Sequence, residues 1–427
     1  MEHNPDIFRG YDIRGVYGKD FDDHFALHLG QAMAKYFGGE AVLVASDLRP
    51  SSEPLKYKVI EGLKSMGVDV IDIGEASTPM FYWAAFAFKA GGGIMVTASH
   101  LPEEYNGFKM IDGVGANIGL DSGLREIAKT LEEDLHPAEK LGEVWKEAVV
   151  EKHADFLIKL AKIKPGEIKL KVGLEGNALV TRELGEIFKK LGVEVVSSSY
   201  DILFGFDADA DRLLVYNNQK QKISGDLIFG LLAKEKMVFW RKPTAVYDFR
   251  SSRGVIEDLK QSGLKLFSAP VGHTFIKAIM RQHHADVAGE LSGHIFFKET
   301  NYAESTYLAA LKILKLLQKF NTTIDALVKP FQTWSHSGEI NFRLDQNGKS
   351  KMENDDAKLK IFQSLKEKYK DGKIKEFDGL TVDYPEWWFN VRMSMNEPTL
   401  RLVVEARTKE MMEQKVEEIS SILKAAS

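Results

Sequence analysis

One short pattern occurs three times along this chain and restricts its fold more than any other feature. The pattern is Lys-x-x-Gly followed by alternating Val or Leu, and it covers residues 64–70, 189–195 and 260–266. A glycine at this point ends a helix, and the alternating apolar residues begin a strand. A strand and an amphipathic helix precede each copy, with the strands at 41–45, 169–174 and 245–249. The pattern predicts three related mixed α/β domains, with convergent helix ends as the alternative.

The last quarter of the chain has a different pattern. Strands are predicted over 337–344, 379–383, 388–392 and 400–406, and helices over 355–369 and 408–423. This order predicts a C-terminal α+β domain. Polar segments near residues 135–147 and 329–337 are candidate boundaries. The predicted domains are residues 1–145, 146–242, 243–334 and 335–427.

Charge and composition exclude several classes of function. The net charge of −5 is spread along the chain, so no basic field for nucleic acid is expected. The longest apolar run, 79–88, is about half the ~20 residues that a membrane helix needs, and the N-terminus has no targeting pattern. We therefore expect a cytoplasmic protein. Cysteine is absent, which leaves oxygen and imidazole chemistry and favours a hard metal such as Mg²⁺.

A serine beside a histidine follows a predicted strand in the stretch 94–109. The apolar run 94–96 leads into Thr97-Ala-Ser99-His100, and Pro102 keeps the next residues out of a helix. A serine in this position could carry a covalent group. In an ordinary loop, Thr97 and Ser99 would only bond nearby backbone.

Three aspartates alternate after the predicted strand 200–206. Asp207, Asp209 and Asp211 precede Arg212. Carboxylates that converge in a loop repel one another unless a cation binds, so a metal site is favoured over a solvated acidic turn. Arg212 would pair with an aspartate or contact a phosphate held by the same ion.

Polar residues also alternate between glycines at 289–294. Glu290, Ser292 and His294 suit the hydroxyl groups of a sugar, and His273 stands at a predicted helix start. Near the N-terminus, Tyr11 and Arg14 lie in a loop that either contacts an anion or is a plain surface loop.

The segment 392–401 has the composition of a phosphate-binding loop. It contains Arg392, Ser394, Asn396 and Arg401 around a proline turn. Guanidinium groups and short donors match phosphate oxygens, although a salt-bridged loop has a similar composition.

His24 and His28, one helical turn apart, lack a third nearby ligand and are interpreted as a solvated helix face rather than a metal site.

Taken in order, these motifs resemble the α-D-phosphohexomutase superfamily, in its phosphomannomutase/phosphoglucomutase branch. The resemblance spans nearly the whole chain and rests on five motifs: Tyr-Asp-Ile-Arg-Gly at 11–15, Thr-Ala-Ser-His at 97–100 with Tyr-Asn-Gly-Phe-Lys at 105–109, Asp-x-Asp-x-Asp-Arg at 207–212, Gly-Glu-x-Ser-Gly-His at 289–294, and Arg-x-Ser to Glu-Pro-x-x-Arg at 392–401. It implies four domains around a central cleft, and an enzyme that interconverts hexose 1-phosphate and hexose 6-phosphate.

The resemblance also implies roles for the motif residues. Ser99 would carry a phosphoryl group, and Mg²⁺ would be held by that group with Asp207, Asp209 and Asp211. His100, Lys109 and Arg212 would assist proton transfer and stabilise charge. The substrate-binding set would be Tyr11, Arg14, Arg250, His273, Glu290, Ser292, His294, Arg392, Ser394, Asn396 and Arg401. Glucose or mannose 1,6-bisphosphate would be the activator.

Several residues depart from the family pattern: Leu101 (usually Asn), Ala208 and Ala210 (commonly Gly), Arg250 (expected to be Lys) and Met395-Asn396 (more usually Asn-Thr or Gly-Thr). At a position that requires a positive φ, alanine lowers stability by about 1 kcal/mol relative to glycine. The segment 177–207 is short for the family and is predicted to lack a strand-bearing stretch far from the cleft. Catalysis is therefore expected to be retained.

The motifs leave the substrate partly open. They favour mannose phosphate slightly over glucose phosphate, while a phosphoglucosamine mutase tends to carry Gln or Asn before Ser292. A non-catalytic sugar-phosphate-binding relative and an aspartyl-phosphate phosphatase are further alternatives. The expected partner is a small hexose phosphate, with no nucleic acid or membrane, and the expected state is a monomer or weak dimer.

Overall fold

Four sheets organise the chain, as seen in a computed structural model that describes residues 4–237, 242–343, 351–394 and 399–425. No helix within these ranges is long and apolar enough to cross a membrane.

The first sheet has the strand order β1-β5-β4-β2-β3-β6. Its elements are β1 (Ile13–Val16), α1 (Asp23–Phe37), β2 (Val42–Ser46), α2 (Ser52–Ser65), β3 (Val70–Glu75), α3 (Thr78–Ala87), β4 (Gly92–Val96), β5 (Tyr105–Asp112), α4 (Arg125–Thr130) and β6 (Val144–Lys146). Trp145 of β6 pairs with Ile71 of β3 in a parallel ladder, and the next helix begins only at Val150.

The second sheet has the order β11-β10-β9-β7-β8. Its elements are α5 (Val150–Ala161), β7 (Lys171–Glu175), α6 (Ala178–Leu191), β8 (Glu194–Val195), β9 (Ile202–Phe206), β10 (Leu213–Asn217), β11 (Lys222–Ile223) and α7 (Gly225–Met237).

The third sheet has the order β13-β12-β14-β15. Its elements are β12 (Thr244–Asp248), α8 (Arg253–Gln261), β13 (Lys265–Ala269), α9 (His273–His283), β14 (Val287–Gly289), β15 (Ile295–Phe297), α10 (Thr306–Phe320) and α11 (Ile324–Val328).

The fourth sheet is antiparallel, with the order β16-β21-β20-β19-β18 and β17 also paired to β21. Its elements are β16 (Ser335–His336), β17 (Ile340–Arg343), α12 (Lys351–Lys368), β18 (Lys373–Glu376), β19 (Leu380–Asp383), β20 (Trp387–Met393), β21 (Thr399–Ala406) and α13 (Lys409–Ala425).

The first three sheets share one four-strand arrangement. The first strand of each unit (β2, β7, β12) is central, the second (β3, β8, β13) and third (β4, β9, β14) run parallel on its two sides, and the fourth (β5, β10, β15) is antiparallel to the third. The glycine after each repeated helix has a positive φ, of 81°, 68° and 91° at Gly67, Gly192 and Gly263. The prediction of three related α/β domains is confirmed.

The second unit differs from the other two between its second and third strands. Helices α3 and α9 make this connection in the first and third units, whereas residues 196–201 make it without a helix in the second. All four strand positions are kept, so the predicted loss of a strand-bearing stretch is wrong: the missing element is a helix. A short link is sufficient because the chain does not have to run back along the sheet. Strand β8 ends opposite Val172 of β7, and β9 starts opposite the same residue on the other side of β7. The ring of Tyr200 then packs against Gly173, where an added Cβ would lie 2.8 Å from it.

The second and third units share one hydrophobic core. Helix α10 is buried along most of its length and packs against both α5 and the strands β10 and β15. The cluster extends from Ala154 on α5 to Phe331 after α11. This shared core fixes the turn between β9 and β10 against the turn between β14 and β15.

Candidate active site

The three predicted functional turns occupy equivalent places in the three α/β units. Each connects the third strand to the antiparallel fourth strand: residues 97–104 after β4, 207–212 after β9, and 290–294 after β14. All three contribute to one cleft, of about 540 Å³, which the fourth sheet also lines. The repeat therefore brings a serine, an aspartate cluster and a sugar-type polar set together by topology.

Ser99 lies buried at the cleft wall in a left-handed conformation, with φ of +54°. Such a conformation is unfavourable for a residue with a Cβ, so the surrounding contacts must hold it. The Ser99 hydroxyl lies 3.5 Å from His100 Nδ1. Burial and the nearby Arg212 and Arg14 lower the pKa of His100 to about 4. This shift favours the neutral imidazole of His100 at physiological pH.

The aspartate turn brings three carboxylates together. Asp207, Asp209 and Asp211 each offer an oxygen, and these atoms lie within 4.8 Å of one another. Ala210 has φ of +58°, so one of the two alanines in this turn occupies the position that favours glycine. Ala210 is also fully buried in the shared core, where its methyl group packs.

Lys109 of the first unit reaches into this turn. It projects from β5, and its Nζ lies 2.6 Å from both Asp209 and Asp211. Burial alone would lower the pKa of Lys109, but the two carboxylates raise it well above its usual range. The Thr78 hydroxyl, at the start of α3, donates to Asp209 at 2.8 Å. Two elements of the first unit thus hold the aspartate turn of the second.

Two of the buried carboxylate oxygens receive no hydrogen bond, from Lys109 or from any other donor among the described residues. Asp207 Oδ2 and Asp209 Oδ1 are buried and accept no hydrogen bond. Burial and the neighbouring Asp211 and Asp209 raise the pKa of Asp207 well above its usual range. A hard divalent cation would satisfy such oxygens, so the residues present fit Mg²⁺.

Arg212 follows the aspartates and lines the cleft. Its backbone N–H donates to Asp207 Oδ1 at 3.1 Å, while its guanidinium Nε lies 3.7 Å from the other oxygen of Asp207. The side chain is 30% exposed, which leaves the guanidinium group accessible from the cleft.

The sugar-type turn is centred on an ionised histidine. His294 Nδ1 lies 2.5 Å from Glu290, and its Nε2 lies 3.3 Å from Asp211 of the metal turn. Burial would lower the pKa of His294, but Asp211 and Glu290 raise it to about 10. Ser292 Oγ lies 3.1 Å from the same ring. Gly293, with φ of +100°, allows the turn to approach Leu213 O, which lies 2.5 Å from where a Cβ would be.

Tyr11, Arg14 and His273 also line the cleft. The Tyr11 ring packs edge-on against His273, with centroids 5.6 Å apart, and Arg14 pairs with Asp12 at 2.7 Å. His273 Nδ1 lies 3.2 Å from the buried Glu304. These side chains connect the N-terminal segment to the start of α9.

A cluster of arginines forms the far end of the cleft. Arg392 on β20 and Arg401 on β21 are direct cross-strand neighbours. Both donate to Glu339, at 3.0 and 3.1 Å. Arg250, from the third unit, binds the same carboxylate at 2.5 Å and also pairs with Asp248. Ser394 lines the cleft, whereas Asn396 lies outside the described residues.

Sequence reasoning missed the partners that hold these residues. Glu339 joins three arginines, Glu304 contacts His273, and Thr78 bonds the aspartate turn. None stands in a motif of its own. The one available signal concerns Glu339: the segment 392–401 has more arginines than carboxylates, which indicates that a carboxylate from another part of the chain pairs with them.

Comparisons with known proteins agree with this geometry. Family models described as phosphoglucomutase/phosphomannomutase match the chain as alpha/beta/alpha domain I at residues 5–136, alpha/beta/alpha domain III at 224–334 and the C-terminal domain at 339–422. A phosphomannomutase of Methanocaldococcus jannaschii is 33% identical, over 98% of this chain and 97% of its own. A phosphomannomutase of Escherichia coli is 29% identical, over 98% and 99%.

A solved structure has the same architecture. A phosphoglucomutase/phosphomannomutase family protein of Burkholderia thailandensis superposes with a TM-score of 0.85 at 27% identity, over 100% of this chain and 98% of its own. The fold and site define a phosphohexomutase, an isomerase. The chain belongs to the phosphoglucomutase/phosphomannomutase family of the α-D-phosphohexomutase superfamily.

Proposed function

We propose that this protein interconverts hexose 1-phosphate and hexose 6-phosphate through a phosphoserine at Ser99 and a bisphosphorylated sugar. The observation that carries the proposal is the convergence of four chemically distinct parts in one cleft. These are a strained serine, an aspartate cluster, a sugar-type turn and an arginine cluster. The proposed domains remain residues 1–145, 146–242, 243–334 and 335–427.

In the forward step, the bond between Ser99 Oγ and phosphorus breaks as a sugar hydroxyl forms its own bond to that phosphorus. The hydroxyl passes its proton to the neutral imidazole of His100, and Ser99 Oγ leaves as an alkoxide whose charge Lys109 and Arg212 would stabilise. In the second step this alkoxide attacks the other phosphoryl group of the bisphosphate, the bond between that phosphorus and the sugar oxygen breaks, and the His100 imidazolium returns its proton to the sugar oxygen. Transition-state charge lies on the transferring oxygens, so cations beside Ser99 are the main catalytic contribution of the protein.

Mg²⁺ is the metal that fits Asp207, Asp209 and Asp211, and when bound it would stabilise charge on the phosphoryl oxygens. Glu290 and Ser292 would bind sugar hydroxyls, with His273, His294 and Tyr11 around the ring. Arg392, Arg401, Ser394 and Asn396, with Arg250 and Arg14, would bind the phosphate that is not reacting. A hexose 1,6-bisphosphate would phosphorylate Ser99 and so activate the protein.

The test is a coupled assay on mannose 1-phosphate and glucose 1-phosphate, with Mg²⁺ and glucose 1,6-bisphosphate present. Turnover of both sugars is expected, with a modest preference for mannose. Ser99→Ala should abolish turnover and prevent the gain of ~80 Da by intact mass that marks a phosphoserine. Ser364→Ala, on the exposed face of α12, is the matched control. The proposal fails if neither sugar turns over or if Ser99→Ala retains activity.

A further inference from the structure

The loop that carries Ser99 is held from behind by an arginine outside every motif. Arg49 follows β2, and its side chain is 8% exposed. All five of its N–H donors have acceptors. Nε donates to Asp47 at 3.1 Å, and the two terminal nitrogens donate to backbone oxygens, at 2.6 Å to Ser99, 2.7 Å to Leu101, 2.7 Å to Pro102 and 3.3 Å to Tyr105.

A second path joins Arg49 to the other side of Ser99. Asp47 is buried and accepts hydrogen bonds from the Arg49 amide at 3.0 Å and from the Thr97 hydroxyl at 2.7 Å. The Thr97 oxygen in turn accepts from the Ser99 amide at 3.0 Å. The amide of Ser99 is thus fixed through Thr97 and Asp47, and its carbonyl is fixed directly by Arg49.

This arrangement explains how Ser99 keeps its left-handed conformation. The segment 97–104 lies between β4 and β5, and its backbone bonds to the neighbouring strand region only at its ends, from Thr97 to Gly107 and from Tyr17 to Glu104. Ser99, Leu101, Pro102 and Tyr105 line the cleft, and their carbonyl oxygens bind Arg49, which does not itself line it. Arg49 therefore acts on the cleft only through this loop.

We infer that Arg49 is a positioning residue, which holds the Ser99 hydroxyl in line for phosphoryl transfer to and from the sugar. The inference rests on the proposed function. A planar guanidinium group with five donors in a fixed fork can bind four carbonyls and one carboxylate at once, whereas a lysine has three donors on one atom. Charge alone is therefore insufficient, and the geometry of the fork is required.

Arg49→Lys tests this distinction because it keeps the charge and removes the fork. Misplacing a reacting group by about 1 Å costs about 100-fold in rate, so we expect kcat to fall by about that factor. KM for the hexose phosphate should stay within about threefold, because the third and fourth units bind that substrate. A single-turnover measurement by intact mass should show the same loss in transfer of the phosphoryl group from phosphorylated Ser99.

The matched control is Lys56→Arg, the reverse exchange at a buried ion pair with Asp72 in the same sheet. It should leave kcat and KM unchanged. If Arg49→Lys does not fold, Thr97→Val removes the second path and should lower kcat alone by about fivefold, since one neutral hydrogen bond is worth about 1 kcal/mol.

The outcomes separate the two proposals. If the wild-type protein turns over no hexose phosphate, the proposed function fails. If the wild type is active and Arg49→Lys keeps kcat within threefold, or raises KM as much as it lowers kcat, the positioning role of Arg49 is overturned. An equal loss in Lys56→Arg would also overturn it.

Discussion

The two ends of the cleft are built from opposite charges in the same way. At the acidic end, Lys109 lies between two of three clustered aspartates. At the basic end, Glu339 lies among three arginines, Arg250, Arg392 and Arg401. In each case one opposite charge, delivered by a distant segment of the chain, contacts several like charges at once. Further pairs add to it: Arg212 and His294 contact Asp207 and Asp211 at the acidic end, and Asp248 pairs with Arg250 at the basic end.

The two ends differ in the charge of the ligand that each would bind. Buried like charges are costly unless they are paired and hydrogen-bonded. The acidic end keeps two buried carboxylate oxygens that accept no hydrogen bond from the described residues, and it therefore suits a cation. The basic end has more guanidinium groups than carboxylates and suits a phosphate. The cleft is thus prepared for a metal at one end and an anion at the other.

Asp209→Asn breaks the acidic end and should have the largest effect. It removes one charge from the proposed metal ligands, and metal-ion stabilisation of a transferring phosphoryl group is worth several kcal/mol. We expect kcat to fall by about 1,000-fold and the Mg²⁺ concentration for half-activity to rise, measured by steady-state kinetics across a Mg²⁺ titration. Asp155→Asn, at an exposed pair with Lys190, is the control. Activity within tenfold of wild type would contradict a metal site here.

Arg392→Met breaks the basic end only. A charge-assisted hydrogen bond contributes about 1.5–3 kcal/mol, so KM for the hexose phosphate should rise by roughly 10- to 100-fold. The metal requirement should not change, because the aspartate turn is untouched. Steady-state kinetics with Arg343→Met as the exposed control would measure this. An increased Mg²⁺ requirement in Arg392→Met would show that the two ends are not independent.

One contribution to acid sensitivity should arise outside both ends of the cleft. Burial lowers the pKa of His153, packed against Trp83, to about 3. In the unfolded chain the pKa of this histidine is near 6.5. Between pH 6.5 and pH 3 the unfolded chain therefore binds a proton that the folded protein does not, and the free energy of unfolding falls as pH decreases. Relative to pH 8, the free energy of unfolding should lose about 2 kcal/mol at pH 5 through this group.

His153→Leu should remove that loss, and His24→Leu, on the exposed face of α1, should not. Urea denaturation at pH 8 and pH 5 would measure both. Equal acid destabilisation of wild type and His153→Leu would place the sensitivity in the cleft instead.

Glu339→Gln gives the smallest effect and tests whether Glu339 competes with phosphate. Removing the carboxylate charge should tighten binding of inorganic phosphate by about fivefold, since a charge interaction near a protein surface is worth about 1 kcal/mol or more. Isothermal titration calorimetry would measure the change, with Glu257→Gln as a control outside the cleft. Weaker binding would show that Glu339 mainly orders the arginines.

The sequence alone determined the repeated unit and the chemistry of its turns. Glycines 67, 192 and 263 end helices as predicted, because a glycine is needed where the backbone turns left-handed after the last helical residue. The predicted strands leading to Ser99 and Asp207 are also confirmed. Local signals sufficed here because each depends on neighbours within one element.

Only the tertiary structure decided which groups meet across the units. Lys109 and Asp209 are 100 residues apart, and Arg250 and Glu339 are 89 apart. Such pairs depend on how sheets pack, which no local pattern encodes. The missing helix of the second unit and the contacts of Arg49 were hidden for the same reason. In the sequence, residues 196–201 are only a short loop and Asp47-Leu48-Arg49 only a turn. The packed units show that the loop replaces a helix and that Arg49 holds the segment that carries Ser99.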